Sequence, residues 1–265
     1  MIAALNRVRT TTLALSTAAF IVLSAAALAQ EAVRPSLDVP YVPTPPEIVD
    51  RMLDMAAVKA SDYVIDLGCG DGRIAIAAAK RGARALGVDI DPARIQDAND
   101  NAKQAGMTGK VGFRQQNLFE TEIQEASVIT MYLLTSINLK LRPRLLDLKP
   151  GTRVVSHAFD LGEWRPDETA QIGFRHAYLW IVPAKADGRW NVQTANETFE
   201  LALEQSFQQL SGQGYFGGKA VAAYGKLRGN DIEVKLVDGL TLRGRIEGDR
   251  IQATQDANWQ ASRIR

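Results

Sequence analysis

The sequence of 265 residues is poor in the side chains that support several common chemistries. A single cysteine, Cys69, excludes an intrachain disulfide. The two histidines, His157 and His176, are far apart and have no carboxylate at ligand spacing, so no metal site is expected. No Gly-x-Ser-x-Gly elbow is present, which argues against a serine hydrolase. The formal net charge of +1 gives no global attraction to nucleic acid or anionic lipid.

The first 29 residues differ in composition from the rest of the chain. Arg7 and Arg9 form a basic start, and an uncharged, largely apolar run extends over residues 10–29. The run ends in Ala27-Leu28-Ala29, which fits a small-residue cleavage site. We interpret residues 1–29 as a secretory signal peptide and expect the rest of the chain to be exported to the periplasm. The alternative is an uncleaved membrane anchor, because the run is close to the minimum spanning length.

Strands and helices are predicted to alternate over residues 30–184. This alternation is typical of a doubly wound α/β fold with a mainly parallel, Rossmann-like sheet. The predicted strands are Tyr63–Leu67, Ala85–Val88, Val111–Gln115, Ser127–Leu133 and Arg153–Phe159, with a late antiparallel strand at His176–Val182. Two of the helices between them are predicted at Arg73–Arg81 and at about Asn138–Leu148.

Two further helices carry capping signals at their first residues. Thr44 is predicted to be an N-cap, with Pro45 at the first helical position and Glu47 completing a capping box. Asp91-Pro92 is predicted to cap a helix that runs to about Ala105 and ends before a glycine.

Short alternating apolar runs replace the helical periodicity beyond about Ala184. Asp238-Gly239 and Gly248-Asp249 fit hairpin turns between such runs. Residues 185–265 are therefore predicted to form a small antiparallel β module, with a structural role or a role in contacting a partner in the cell envelope. Residues 198–210 are a possible helix within it, because Phe199, Leu203 and Phe207 are also spaced at helical intervals.

A glycine-rich turn, Asp66-Leu67-Gly68-Cys69-Gly70-Asp71-Gly72, directly follows the first predicted strand. Glycines at alternate positions let the backbone approach a ligand closely, because no side chain intervenes. Open α/β sheets bind ligands at the carboxyl ends of their central strands, where this turn is expected to lie. Asp89 ends the second strand about twenty residues later, where a carboxylate can accept hydrogen bonds from both ribose hydroxyls.

The glycine pattern distinguishes between two nucleotide cofactors. A dinucleotide fingerprint would place glycine or alanine where Arg73 stands. The pattern Asp-x-Gly-x-Gly-x-Gly instead resembles motif I of class I S-adenosylmethionine-dependent methyltransferases. Gly87-Val88-Asp89-Ile90 resembles their second-strand motif, and the resemblance extends over about residues 60–160. It implies a methyltransferase (EC 2.1.1) with S-adenosyl-L-methionine as cofactor.

The resemblance also assigns roles to individual residues. Asp66 and the backbone of Gly68, Cys69, Gly70 and Gly72 would face the methionine part of the cofactor. Asp89 would hold the ribose, Ile90 would pack on the adenine, and Asn117 would accept a hydrogen bond from the adenine amine. The Cys69 side chain itself is expected to be a small buried group and not a catalyst.

A narrower resemblance concerns the methyl acceptor. Nucleic-acid amine methyltransferases usually carry Asn/Asp-Pro-Pro-Tyr after the fourth strand, whereas this chain has Thr130-Met131-Tyr132-Leu133-Leu134. Pro40-Tyr41-Val42-Pro43 and Gly70-Asp71-Gly72-Arg73-Ile74 together resemble the lysine methyltransferases of the mitochondrial ATP synthase c-subunit and of the adenine nucleotide translocase. That family implies protein-lysine N-methylation, a protein substrate and no nucleic-acid partner.

Two tyrosines are the candidate catalytic residues. Tyr41 and Tyr132 could shape an amine channel by cation–π contact or hydrogen bonding; the alternative is that they are ordinary aromatic residues at the sheet edge. His157 and Asp160 could assist deprotonation of the amine, although a structural role is favoured. Two other functions remain open: a small-molecule methyltransferase with the β module as a lid, and a non-catalytic exported binding module on a methyltransferase fold.

Overall fold

The computed structural model describes residues 40–254 and 258–264. The predicted signal peptide, residues 1–29, lies outside the described residues. None of the helices formed by residues 40–254 and 258–264 is long and apolar enough to span a membrane.

A seven-stranded sheet forms the N-terminal part of the described chain. The strand order is β3-β2-β1-β4-β5-β7-β6, in which β1 to β5 run parallel, β7 is antiparallel to β5 and β6 is antiparallel to β7. The strands are β1 Tyr63–Leu67, β2 Arg84–Asp89, β3 Val111–Gln115, β4 Val128–Met131, β5 Arg153–His157, β6 Glu168–Ile172 and β7 Arg175–Ile181. The predicted doubly wound α/β fold is confirmed, and only the short edge strand β6 was not anticipated.

Helices pack on both faces of this sheet. They are α1 Pro46–Met55, α2 Arg73–Lys80, α3 Pro92–Gln104 and α4 Thr135–Leu146, and a 3₁₀ turn lies at Leu118–Glu120. Successive strand residues point to opposite faces, so Val64 packs with α1 and α2 while Ile65 packs with α4. The central strands are buried on both sides, which explains why their sequences are mostly apolar and why Asp66 of β1 and Thr130 of β4 are hydrogen-bonded to each other.

The start of α1 differs from the prediction. Pro45 is the N-cap, and no side chain caps the helix. Thr44 is therefore not an N-cap, because its hydroxyl is 3.2 Å from Nδ1 of His157 and takes a partner outside the helix. The cap of α3 is as predicted, since Asp91 Oδ1 accepts a hydrogen bond from Ala93 N at 2.9 Å.

The C-terminal part is a closed antiparallel barrel of eight strands. Its strands are β8 Gly188–Thr194, β9 Thr198–Ser206, β10 Gln209–Phe216, β11 Lys219–Arg228, β12 Asp231–Leu236, β13 Thr241–Glu247, β14 Arg250–Ala253 and β15 Trp259–Arg263. Each strand pairs with the next, and β15 also pairs with β8 to close the barrel. Apolar side chains from alternate positions fill its interior.

The possible helix at residues 198–210 was wrong. Phe199, Leu201 and Leu203 are all buried, with more exposed residues between them, so this segment has the period of a strand. The apolar residues on which the helix rested are four positions apart, and a spacing of four fits both a helical turn and two strand repeats.

The barrel contacts the sheet through the turn between β9 and β10. The ring of Phe207 stacks on Trp164 with centroids 6.3 Å apart, and Gln208 Nε2 donates to the carbonyl of Arg165 at 2.6 Å. Ala184 N also donates to the carbonyl of Gly229 at 2.8 Å. These contacts join the two parts of the chain. The division into separate domains at residues 30–184 and 185–265 stays a prediction.

Candidate functional site

The candidate site is a cleft at the carboxyl edge of the seven-stranded sheet. Its walls are the glycine loop after β1, the ends of β2 and β4, the segment after β3, and residues Pro40–Thr44, which we call the covering segment. The cleft has a volume of about 950 Å³ including its open mouth. Gly68, Cys69, Gly70, Asp89, Ile90, Asn117, Tyr41 and Tyr132 all line it.

The glycine loop turns sharply because its glycines adopt left-handed backbone angles. Gly68 and Gly70 have φ of +74° and +54°. The amides of Gly68 and Cys69 both donate to the carbonyl of Val88 at 2.9 Å, which holds the loop against β2. A Cβ at Gly70 would lie 2.5 Å from Cε2 of Tyr41, so only glycine lets the covering segment approach so closely.

Asp89 connects the loop to the start of α3. Its Oδ2 accepts a hydrogen bond from Gly70 N at 2.9 Å, and its Oδ1 accepts one from Asp91 N at 3.0 Å. An ionised carboxylate has about four lone-pair sites, so both oxygens can accept further hydrogen bonds. The side chain therefore fits a ligand that donates hydroxyl groups, such as ribose.

Asp66 and Gly72 are not part of the cleft lining. Asp66 is buried on β1, where Oδ1 accepts a hydrogen bond from Thr130 Oγ1 at 2.7 Å and Oδ2 has no hydrogen-bond partner. Burial raises its pKa to about 7. This oxygen is buried on β1 and does not reach the surface of the cleft, so Asp66 acts on the site only from behind the glycine loop.

Gly72 has a packing function in this structure. A Cβ there would lie 2.6 Å from Cζ of Phe113 and 2.9 Å from Cβ of Ala98, so glycine allows the loop to pack on β3 and α3. Cys69 is also buried, and burial raises the pKa of its thiol, with the Asp66 and Asp89 carboxylates acting in the same direction. The thiol stays protonated, which agrees with a packing role.

Ile90 and Asn117 line the cleft after β2 and after β3, respectively. Ile90 is partly exposed at the end of β2, which leaves its side chain free to pack on a flat ring. Asn117 Oδ1 accepts a hydrogen bond from Phe119 N at 3.0 Å and so caps the 3₁₀ turn. A carbonyl oxygen has two lone pairs, so this side chain can still accept a hydrogen bond from an amine.

The two candidate tyrosines have different surroundings. Tyr41 is 40% exposed, and the guanidinium of Arg94 lies 4.7 Å from its ring centroid. Burial, together with the Asp71 carboxylate, raises the pKa of the Tyr41 hydroxyl. Tyr132 follows β4. Its ring centroid lies 4.0 Å from that of His157 and 6.1 Å from that of Phe159.

Arg73 and Thr44 contribute to the site in a way that the sequence did not indicate. Arg73 makes an ion pair of 2.6 Å with Asp71, and its Nη1 donates to the carbonyl of Thr44 at 2.9 Å. This arginine thereby ties the covering segment to the glycine loop. Nothing in the local sequence reveals the contact, because the two residues are 29 positions apart.

His157 is buried at the end of β5. Burial lowers its pKa to about 4, with the Arg175 charge acting in the same direction, so the imidazole is neutral at pH 7. A group with this pKa is a weak general base. The buried position of His157 therefore favours a structural role over a role in deprotonating the amine. Within residues 40–254 and 258–264, no group of three or more His, Cys, Asp or Glu side chains could hold a metal ion.

Comparison with known proteins identifies relatives of this part of the chain. The family model of the ANTKMT methyltransferase domain matches residues 66–168. A protein-lysine N-methyltransferase of Saccharolobus islandicus is 48% identical over 151 residues, which cover 54% of this chain and 94% of the relative. The mouse adenine nucleotide translocase lysine N-methyltransferase is 30% identical over 154 residues, which cover 57% of this chain and 66% of that protein.

A solved structure gives a similar result. The crystal structure of an RNA methyltransferase from Salinibacter ruber in complex with S-adenosyl-L-homocysteine is 52% identical to this chain, with a TM-score of 0.54. The match covers 55% of this chain and 96% of that chain. The similarity thus spans nearly all of the Saccharolobus islandicus and Salinibacter ruber proteins and about two thirds of the mouse protein.

Proposed function

The chain belongs to the protein-lysine N-methyltransferase family, and from this premise we propose that it methylates the ε-amine of a lysine in a protein substrate. As an S-adenosylmethionine-dependent methyltransferase it breaks the bond between the methyl carbon and the sulfonium sulfur, forms a bond from that carbon to nitrogen, and releases a proton from the amine. The proposal rests on one observation. The hydrogen-bonded residues Gly70 and Asp89 line the same cleft as Tyr132.

The cofactor half of the cleft consists of backbone amides, one carboxylate and an apolar wall. When bound, S-adenosyl-L-methionine supplies the electrophilic methyl group. Asp89 would accept hydrogen bonds from the ribose hydroxyls, Ile90 would pack on the adenine and Asn117 would accept from its amine. The chain's main contribution to the reaction is then positioning and the exclusion of water.

The acceptor lysine arrives as an ammonium ion and must lose its proton before its nitrogen can attack the methyl carbon. Burial in the cleft removes water from the ammonium group and so lowers its pKa, which favours the neutral, nucleophilic form. Tyr132 is a direct wall of the cleft, while the imidazole behind it is uncharged at pH 7 and does not repel an arriving cation. These properties support Tyr132 as the acceptor-side residue and Tyr41 as the residue that closes the cofactor side.

The proposal is tested by methyl transfer with labelled S-adenosyl-L-methionine and cell extract. Label that is removed by protease and recovered as methyl-lysine supports the proposal. Label removed by ribonuclease would contradict it and would agree with the activity of the Salinibacter ruber relative, an RNA methyltransferase. Labelled small molecules would support the small-molecule alternative, and failure of the protein to transfer any label would support the non-catalytic one.

A matched pair of variants assigns the transfer to this cleft. Tyr132→Phe keeps the ring against His157 and should retain most of the activity, whereas Tyr132→Ala removes the wall. We expect Tyr132→Ala to lower kcat/KM by about tenfold or more, the effect of a lost positioning contact. Equal activity of the two variants and the parent protein would exclude Tyr132 from the acceptor site.

We also propose that the barrel, within residues 185–265, contacts the protein substrate or another partner in the cell envelope. Its interior is filled by its own side chains, so any binding must use the outer surface. Tyr224 and Val237 are exposed on that surface. Tyr224→Ser combined with Val237→Ser should leave methylation of a free lysine peptide unchanged and reduce methylation of the cellular substrate. Unchanged methylation of both would refute a contact role for this surface.

We further propose that the mature protein is exported to the periplasm after cleavage of residues 1–29. The basic start, the uncharged run and the small-residue end support this. Export would separate the enzyme from the cytoplasmic supply of its cofactor, so turnover would be limited by that supply. Cell fractionation with N-terminal sequencing tests the proposal, and a protein that retains Met1 and is shielded from external protease would contradict it.

A further inference from the structure

Thr44 is the point at which the covering segment touches both halves of the cleft. Its carbonyl accepts the hydrogen bond from Arg73 Nη1 at 2.9 Å, on the side of the glycine loop. Its hydroxyl is hydrogen-bonded to Nδ1 of His157 at 3.2 Å, on the side of the acceptor wall. Thr44 is only 3% exposed, so water competes weakly with either bond.

The connection on the glycine-loop side is rigid. Arg73 Nε donates to Asp71 Oδ1 at 2.9 Å and Nη2 donates to Asp71 Oδ2 at 2.6 Å, which is a two-point contact with the carboxylate. Burial alone would raise the pKa of Asp71, but the hydrogen bonds from Arg73 outweigh it and hold that pKa below its usual range. Asn101 Nδ2 also donates to the carbonyl of Asp71 at 2.9 Å, so the pair is anchored to α3.

The connection on the acceptor side runs through aromatic rings. The ring of Tyr132 packs near those of His157 and Phe159, with centroids 4.0 Å and 6.1 Å away. The carbonyl of Phe159 is itself held by the hydroxyl of Ser156 at 2.6 Å and by Nδ2 of the buried Asn138 at 3.2 Å. The backbone of Phe159 is thus held in place, and the imidazole of His157 is the nearer ring against which Tyr132 packs.

We propose that Thr44 is a positioning residue that couples the glycine loop to Tyr132 through Arg73 on one side and His157 on the other. When the covering segment packs on the glycine loop, the position of Tyr132 is then fixed as well. The acceptor half of the cleft is therefore formed only when the cofactor half is ordered. The inference concerns the same cleft and rests on the proposed methyl transfer for its kinetic consequence.

The coupling can be measured without any acceptor, using protein labelled with 3-fluorotyrosine. The Tyr132 resonance is assigned from its loss in Tyr132→Phe. We expect Arg73→Gln to shift this resonance in the otherwise unchanged protein and to leave it unshifted in the Thr44→Val background. Arg81→Gln is the control, because Arg81 pairs with Asp54 and should move nothing at Tyr132. An equal shift in both backgrounds, or a shift in neither, would overturn the proposal.

The kinetic test uses an isosteric pair at position 44. Thr44→Val keeps the backbone carbonyl and the side-chain shape but loses the hydroxyl, whereas Thr44→Ser keeps the hydroxyl. We expect Thr44→Val to bind S-adenosyl-L-homocysteine within about twofold of the parent protein and to lose about tenfold in kcat, with Thr44→Ser near the parent in both. His157→Phe, which keeps a ring beside Tyr132, should show the same loss, with no further loss in the double variant.

The outcomes separate this inference from the proposed function. Unchanged kcat in Thr44→Val, equal impairment of Thr44→Ser, or additive losses in the double variant would refute the coupling. If the parent protein methylates no lysine, the proposed function fails, and the fluorine resonance of Tyr132 still decides whether Thr44 couples the two halves. Thermal melts of each variant show whether a loss arises from unfolding, and the resonance comparison then uses only the folded variants.

Discussion

Replacement of Asp89 by alanine is the sharpest perturbation of the cofactor half of the cleft. In the parent protein this one carboxylate accepts hydrogen bonds from Gly70 N at 2.9 Å and from Asp91 N at 3.0 Å. Asp89→Ala therefore removes a ligand acceptor and also releases the glycine loop from the start of α3. The loop amide of Gly70 loses its partner at the place where the ligand must bind.

The size of the effect follows from these contacts. A hydrogen bond to a charged group contributes about 1.5–3 kcal/mol when it is shielded, and less where water competes. Because Asp89 is partly exposed at the cleft, we expect cofactor binding to weaken by about 1–3 kcal/mol, or about 5- to 150-fold in Kd. Asp89→Asn, which can replace only part of the acceptor capacity, should fall between the parent and the alanine variant.

Calorimetric titration with S-adenosyl-L-homocysteine measures this change directly. Asp54→Ala is the matched control, because Asp54 lies on α1 with its carboxylate exposed and paired with Arg81 outside the cleft lining. The control should bind like the parent protein. An unchanged Kd for Asp89→Ala, or tight binding of NAD by the parent protein, would refute the assignment of this cleft to the methyl donor.

Three other perturbations test the surroundings of the cleft. Gly70→Ala should weaken cofactor binding by about tenfold, because its Cβ would collide with the Tyr41 ring in a left-handed conformation, and Tyr41→Ala in the same protein should recover part of the loss by calorimetry. The pKa of Asp66 is about 7 in the folded protein and lower in the unfolded protein, so ionisation of this carboxyl group lowers the free energy of unfolding. This loss of stability is absent at pH 3 and complete at pH 8. Asp66→Asn should therefore raise the melting temperature of the cofactor-free protein more at pH 8 than at low pH, and a pH-independent difference would contradict the burial argument. Phe207→Ala should lower the free energy of unfolding by about 2 kcal/mol in urea titrations, since the ring stacks on Trp164, and an unchanged midpoint would show that the barrel turn does not stabilise the sheet.

Local signals carried the prediction of the sheet and of the cofactor half of the cleft. The apolar strand β1, the glycines after it and Asp89 at the end of β2 lie within 27 residues of sequence. Parallel strands bring their carboxyl ends to one edge, so the alternation of strands and helices was enough to place these residues together. Their assignment to individual cofactor groups stays a prediction, as does the amine channel of Tyr41 and Tyr132.

The acceptor side could not be derived in the same way. The hydrogen bond between Thr44 and His157 joins residues 113 positions apart, and a threonine before two prolines reads locally as a helix cap. The pKa of His157 depends on burial at the end of β5 and on Arg175, which come together only when the sheet is formed. The contact of Phe207 with Trp164 likewise needs the barrel turn to reach the sheet.

The pairing of β15 with β8 has a consequence for how the chain folds. Until Trp259–Arg263 pairs with both neighbouring strands, β8 and β14 each carry an unpaired edge, and the apolar interior between them is open. Open strand edges recruit other chains, so every nascent chain passes through a stage at which it can aggregate. A chain that ends before Trp259 would therefore keep an open barrel, with β8 and β14 as edges that other chains can pair with.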